Sequence, residues 1–403
     1  MSVQLMCLTS GGGLPIFTRC KGNTENLPFS LIGSLNGVHM FSKSQRMELL
    51  STVTNDYTVV WKELYDSLIF IGIASACTTE ALTQVIECAG SAMVMVVGMD
   101  EIIAQRNIER LKRELRVCSP VIDRLLDCLD FGDANTNQST ISISGMVKTI
   151  LTPENHLIKI VLDTFTECID SMYSCVLIHG KLAVATDSWW TLHPTEIKLL
   201  SLLASAEGSS TTSKDTPVFL PFKSPKAAFR FVTCSLLPDV QVCCLCGPEQ
   251  QLEEIENSAA YCFKSTMEIL GSAVQCHPRN FPATIQLDAG ILGVLLINVE
   301  CRKYMMSKNP QPKRIVNGSH RLDILRTFYY QAVLDVLLSL REDVESTVVK
   351  ETYWCSEYHK CYALKQHGNV LCVLYNANVP TMVMRSLTRA TLKVFMAEKQ
   401  FCW

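Results

Sequence analysis

Apolar and polar positions along this chain fall into short alternating runs and longer helical stripes, and their order repeats three times. The first repeat opens with two strands, 2–8 (SVQLMCL) and 14–19 (LPIFTR), around a Gly-rich turn. A helix over 27–42 follows, then strands at 47–53, 57–62 and 67–74. The last is apolar at nearly every position, as a central strand buried on both faces should be. Residues 78–97 and 100–117 complete the unit as helices, with Thr79 and Asp100 as candidate caps. The second repeat adds a helix at 153–172, with Pro153 in its first turn. It then runs through strands 173–179 and 182–187, helix 193–206, strands 216–222, 228–237 and 240–247, and a long helix at 249–274. The third has a hairpin at 290–306, helix 320–340, strands 345–354, 360–366 and 369–376, and helix 380–397. The order ββαβββα predicts an α+β fold of three units, each a five-stranded antiparallel sheet packed with helices. The units fall at 1–130, 150–278 and 279–403, and the polar segment 131–149 (with FGDANTNQSTISISG) reads as a linker.

One helix breaks the usual amphipathic rule. Residues 27–42, LPFSLIGSLNGVHMFS, carry no charge; Glu25 precedes the stretch and Lys43 follows it. On a wheel of about 100° per residue, Leu27, Leu31, Leu35 and Val38 form one stripe, suited to packing on the helix's own sheet. Phe29, Gly33, Asn36 and Met40 form a second stripe on roughly the other side. A helix apolar or small all round is normally covered on more than one side. The equivalent helices of the other repeats carry charge: Glu196 and Lys198 in one, Asp323, Arg326, Asp335 and Arg341 in the other. The first unit alone should therefore hide its helix twice, under other parts of the chain or under a partner protein. Phe29, Gly33, Asn36 and Met40 are the candidate partner-interface residues.

Composition narrows the classes. Net charge is −3, so no global field favours nucleic acid, and no base-reading motif is present. The longest uninterrupted apolar runs, such as 291–299, are about half of a bilayer span. The N-terminus has no basic region or apolar stretch of signal-peptide length. These features predict a cytoplasmic chain whose 19 scattered cysteines are reduced and packed as small hydrophobes.

No catalytic constellation emerges, and no cofactor or metal site is expected. SGGGLP (10–15) leads into a strand and lacks the Lys-Ser/Thr of a phosphate loop, so a hairpin turn is the reading. Cys243 and Cys246 would point to opposite faces of a strand; Cys244 and Cys246 share a face, but two ligands do not close a zinc site. Cys355, His359 and Cys361 form a looser cluster across a turn. Trp189 and Trp190 read as a lid over the second core or as a partner hot spot. The sequons at Asn137 and Asn317 mean little in a cytoplasmic chain. Two basic patches remain as candidates for anionic membrane or partner contact. Arg106, Arg110 and Arg113 repeat on one helix face, diluted by Glu109 and Glu114, and Lys308, Lys313 and Arg314 lie on a basic loop.

The three ββαβββα units, with LPFSLIGSLNGVHMF (27–41), TVVWK (58–62), NIERLKREL (107–115), SWW (188–190) and LCGP (245–248), resemble the tri-longin family and, within it, the planar cell polarity effectors. The 27–41 segment carries the resemblance most specifically. Three longin-like domains are implied. So are a partner subunit, Inturned, and a larger complex with Wdpcp at the ciliary basal body. The implied roles are in ciliogenesis, in planar polarity and in recruiting intraflagellar transport proteins. The implied activity is guanine nucleotide exchange on, or stable binding of, a Rab or Rab-like small GTPase, with first longin domains pairing between subunits. Composition allows a second reading, a trafficking adaptor that docks on membranes without exchange activity.

Overall fold

The computed structural model describes residues 2–403 except 23–26, 76, 130–142, 144, 207–212, 309–319, 339–349 and 398–402. The chain forms two compact units. The first comprises residues 1–133, 140–145 and 217–229; the second comprises 134–139, 146–216 and 230–403.

The first unit contains β1 (Val3–Thr9), β2 (Pro15–Lys21), α1 (Phe29–Ser44), β3 (Ser51–Val53), β4 (Tyr57–Leu64), β5 (Leu68–Ser75), α2 (Thr79–Val97), α3 (Met99–Ala104), α4 (Ile108–Leu115) and α5 (Ser119–Asp127). The sheet order is β2-β1-β5-β4-β3, all antiparallel. Strand β5 is central and buried on both faces, as its unbroken apolar run demands. On one face, Gly72 admits α2 so closely that an added Cβ would lie 2.9 Å from Ile86 Cδ1. Helix α2 is long and apolar enough to cross a bilayer, but 67% of it is buried here as the core helix of the unit. Thr78, not Thr79, caps α2 by accepting from the Ala81 N–H.

The single helix expected over 100–117 is two. Gln105 takes a left-handed φ of 43° and ends α3. Asn107 then caps α4 through its side-chain oxygen, which accepts from the Arg110 N–H at 2.9 Å. Asp100 lies inside the first turn of α3, whose cap position is Gly98.

The second unit holds two further sheets. The first of these is built from β7 (Tyr173–Ile178), β8 (Lys181–Ala185), β9 (Lys214–Leu220), β10 (Ser224–Leu237) and β11 (Val240–Cys246), in the order β8-β7-β11-β10-β9. The chain reaches it through β6 (Val147–Lys148) and α6 (Asn155–Cys168); α7 (Pro194–Ala206) lies between β8 and β9. The expected long helix at 249–274 is α8 (Leu252–Phe263) and α9 (Met267–Val274), separated by a tight 3-10 turn at Lys264–Thr266. Phe165, Phe263, Ile158 and Leu162 pack with Val176, Val232 and Val242 in its core.

The other sheet contains β12 (Ile291–Asn298), β13 (Lys303–Lys308), β14 (Glu351–Cys355), β15 (His359–Gln366) and β16 (Asn369–Asn376). Helix α10 (His320–Phe328) continues as a π-helical stretch, Tyr329–Leu338, and α11 (Thr381–Ala397) follows β16. The order is β14-β15-β16-β12-β13-β6, so this sheet has six strands, not five. The extra strand, β6, precedes the second sheet in sequence and pairs in parallel with β13, which stitches the two halves of this unit together. All three sheets otherwise share one connectivity, the α+β repeat that the sequence pattern predicts.

A buried lysine sits in this second unit. Lys181 is 4% exposed; its ammonium lies 2.8 Å from His277 Nδ1 and donates to Asn280 Oδ1. Burial, with Lys148 nearby, pulls its pKa down to about 6. In the unfolded chain Lys181 keeps its proton up to the ordinary lysine value of 10.5, so between the two values the unfolded state binds more protons. Stability must then rise with pH across that window and be lost as pH falls toward 6. Urea midpoints measured from pH 6.5 to 9 are expected to climb, and Lys181→Met is expected to flatten the climb.

Candidate functional site

Helix α1 enters from Pro28, whose extended backbone ends the preceding loop without a side-chain cap. Ser34 and Ser42 satisfy their hydroxyls on the carbonyls of Ser30 and Val38, four residues back, so neither needs an outside partner. The helix is seated on the sheet by Ile32, Leu35, Asn36 and His39. Ile32 joins Met6, Leu8, Trp61, Ile69 and Ile71 in a small core, with Leu27 and Leu35 packed at its margin. The Trp61 indole N–H donates to the Leu35 carbonyl at 3.2 Å and fixes the rotation of the helix. Lys43 pairs with Glu63 at 2.8 Å near the helix C-terminus, where a cation suits the dipole.

That rotation corrects the two predicted stripes. Leu27 and Leu35 pack toward the sheet as expected, but Leu31 and Val38 are 42% and 52% exposed. Asn36 does not belong to the outer face. It turns toward the β1–β2 hairpin, where Gly13 has φ +62° and an added Cβ would lie 2.2 Å from Asn36 Nδ2. Phe29, Gly33 and Met40 are exposed, and Phe41, which the wheel left unassigned, is 64% exposed beside them. The outer surface is a lane of Ser30, Gly33, Ser34 and Gly37, with Phe41 among them, flanked by Phe29 and Met40 on one side and Leu31 and Val38 on the other. Met47, Leu50 and Tyr57 are exposed on the same side of the sheet around the short edge strand β3, whereas exposed Val53, paired with Thr58, points to the face that α2 covers. The opposite edge, β2, is guarded: Arg19 and Lys21 pair with Asp123 and Asp127 of α5.

Of the two covers expected for α1, the chain's own described residues leave its outer face open, and the charges that set its counterparts apart do not mark solvent. Helix α7 has no exposed residue: Glu196 is 0% and Lys198 3% exposed. In α10, Asp323 and Arg326 are buried against each other at 3.2 Å. These four charges lie inside the second unit, while the side chains of Asp335 and Arg341 fall outside the described residues; the uncharged helix has an open outer face.

Glycines 33 and 37 sharpen this. A Cβ built at either position meets nothing within 4 Å. Mid-helix glycine costs about 1 kcal/mol relative to alanine, and no contact within the chain requires it here. Gly33→Ala and Gly37→Ala are each expected to stabilise the isolated chain by about 0.5–1 kcal/mol in urea unfolding.

The remaining candidates resolve simply. SGGGLP forms the β1–β2 hairpin turn. Cys244 and Cys246 share a face of β11 with sulfurs 3.4 Å apart, while Cys243 packs on the other; all three are buried. Cys361 is buried and Cys355 exposed on neighbouring strands. Among the described residues no group of three metal-ligating side chains occurs, and the described cysteines are free thiols. Trp189 is fully buried, and Trp190 lies against Lys303, 4.6 Å from its ring centre. Arg106 lies before α4, because the break at Gln105 shortens that helix; Arg110 and Arg113 are on it and exposed. Arg110 is paired with Glu114 and Lys112 with Glu109. Lys308 is half-buried at the end of β13, and burial lowers its pKa. Lys313, Arg314, Asn137 and Asn317, and most of the polar linker, fall outside the described residues.

Three repeats of one sheet connectivity, with an uncovered helix on the first, define a tri-longin protein. Residues 3–125, 169–264 and 290–399 match the family descriptions "First", "Second" and "Third Longin domain of FUZ, MON1 and HPS1". The chain is 34% identical to the Protein fuzzy homolog of Xenopus tropicalis over 99% of both chains, and 32% identical to that of Mus musculus over 97% of this chain and 96% of the relative. The Homo sapiens homolog is 32% identical over 81% of this chain and 78% of its own. The chain belongs to the Fuzzy family of tri-longin proteins.

Proposed function

We propose that this chain is a non-catalytic subunit that docks a partner subunit through the outer face of α1 and the β3 edge. The assembled pair binds or activates a Rab-type small GTPase. One observation carries the docking reading: among the described residues of the three equivalent helices, α1 alone presents an apolar, charge-free outer face to solvent. An exposed patch of this kind marks a protein-interaction surface more often than chance. Two glycines with open space above them allow a neighbouring backbone to approach closely.

The partner that the family suggests is Inturned, with Wdpcp in a larger assembly at the ciliary basal body. There the pair would act in ciliogenesis and planar polarity, and support recruitment of intraflagellar transport proteins. Exchange would proceed by reshaping the switch regions and phosphate site of the GTPase, with no covalent step on this chain. The test is release of labelled GDP from candidate Rab proteins by the purified pair. Acceleration at least tenfold on one Rab supports exchange. Stable binding with unchanged release from every candidate supports the adaptor reading instead. Membrane docking through Arg110, Arg113 and Lys308 belongs to that reading, and vesicle sedimentation with and without anionic lipid measures it.

A further inference from the structure

Two stretches of chain cross between the second and third sheets, and they meet at one residue. Residues 147–151 form the first crossing. The Val147 and Thr149 N–H groups donate to the Arg302 and Tyr304 carbonyls at 2.9 and 2.8 Å. The Ile150 N–H turns the other way, to the Leu182 carbonyl of β8 at 3.0 Å. Side chains part in the same manner: Ile150 is buried in the core of the second sheet and Leu151 in that of the third. Residues 276–281 form the second crossing, with Cys276 in the second core and Phe281 in the third. Asn280 ties the crossings together. It is 3% exposed, and its carbonyl accepts from the Leu151 N–H at 2.9 Å. Its side-chain amide donates to the Met306 carbonyl of β13 at 2.6 Å.

Lys181 closes this junction from β8. Its Nζ reaches both His277 Nδ1 and Asn280 Oδ1, so a polar chain, Lys181–Asn280–Met306, runs from the second sheet to the third. Both partners of the amine are neutral. Burial, then the charge of Lys181, takes the His277 pKa down to about 4. The surrounding charges do not help. Lys148 of β6 acts on Lys181 as a like charge. In the β7–β8 turn, His179 lies against His277 with ring centres 4.3 Å apart, and it pairs with Asp239 of the β10–β11 turn at 3.5 Å. Arg279 donates to the Ile285 carbonyl and lies over Phe281. Among the described residues no carboxylate pairs with Lys181. An ammonium placed here has lost its water and gained no counter-charge, so the closed seam favours the neutral amine. An open seam returns the amine to water, where it holds a proton.

We propose that the seam between the second and third longin domains is a proton-linked joint, in which each opening takes one proton onto Lys181. The window runs between the buried value of about 6 and the ordinary lysine value of 10.5. Across it the ratio of open to closed seam rises about tenfold for each unit that pH falls. Below the ordinary histidine value of 6.5, His277 adds a second proton on opening. Near-neutral pH lies on the slope, so modest acidification loosens the pairing of these two domains. The opening parts the two crossings and leaves the sheets themselves intact.

The test is amide exchange of the full chain between pH 6.5 and 9, corrected for base catalysis. It follows peptides 147–152 and 276–282, with the central strands β11 and β16 as references. The opening constant of both crossings is expected to rise about tenfold per unit of falling pH, while β11 and β16 exchange more slowly throughout. Lys181→Gln keeps a donor for Asn280 and carries no charge, so it should make that opening constant independent of pH. Titration of the Lys181 Cε resonance by NMR needs no variant, and a midpoint near 6 is expected. Three results would each overturn the proposal: opening constants that do not change with pH, a pH dependence that survives in Lys181→Gln, or a Lys181 midpoint at the ordinary 10.5. So would crossings that open only together with β11 and β16, since Lys181 would then report unfolding of the whole unit and not a joint.

Discussion

A chain carrying Phe29→Asp and Phe41→Asp is expected to fold as its parent does and to lose the partner subunit proposed to dock on α1. Both rings are about two-thirds exposed, at 67% and 64%, so the monomer should unfold within about 1 kcal/mol of the parent. Neither ring touches the small core under α1, which Ile32 and Trp61 hold from the other side. In a complex, two aspartates on the apolar lane would be buried without partners. Aromatic anchors at interface centres are worth about 2 kcal/mol or more each, so capture should fall by at least about 100-fold. Pull-down of the proposed partner subunit, together with urea unfolding of the free chain, measures both halves. Loss of cooperative unfolding would place this face inside the chain's own core.

Trp61→Ala is expected to give the opposite signature. The ring is 5% exposed under α1, and its N–H holds the Leu35 carbonyl. Removing it leaves a cavity beneath a helix that has few other anchors, at a cost of about 3–5 kcal/mol. Hydrogen exchange should then show α1 opening before the rest of the first unit. Trp61→Phe keeps most of the packing and loses the hydrogen bond, so it should cost about 1 kcal/mol beyond its lost volume. One helix thus separates into an inner face that stability assays read and an outer face that binding assays read.

Much of this architecture is legible in the residues. The apolar run 67–74 marked a central strand, and β5 lies between β1 and β4. The Gly-rich turn marked a hairpin, and alternation in 240–246 sent Cys243 and Cys244 to opposite faces. The rotation of α1 was not legible. Apolar residues at 27, 29, 31, 32, 35, 38, 40 and 41 surround the helix, and with no charge to mark the wet side a wheel cannot choose among them. Trp61 makes the choice through a long-range hydrogen bond. The burial of Glu196, Lys198, Asp323 and Arg326 misled for a related reason: charge is an ordinary marker of solvent, and here tertiary contacts override it. The break at Gln105 turns on one left-handed residue that is not glycine, and β6 is a two-residue parallel pairing; neither leaves a local pattern to read.

The direct test of the central claim is hydrogen–deuterium exchange of the full chain, alone and saturated with its co-purified partner. The docking account predicts new protection concentrated in peptides covering 29–44 and 47–57. Protection elsewhere, with α1 and the β3 edge exchanging as they do in the free chain, would contradict it.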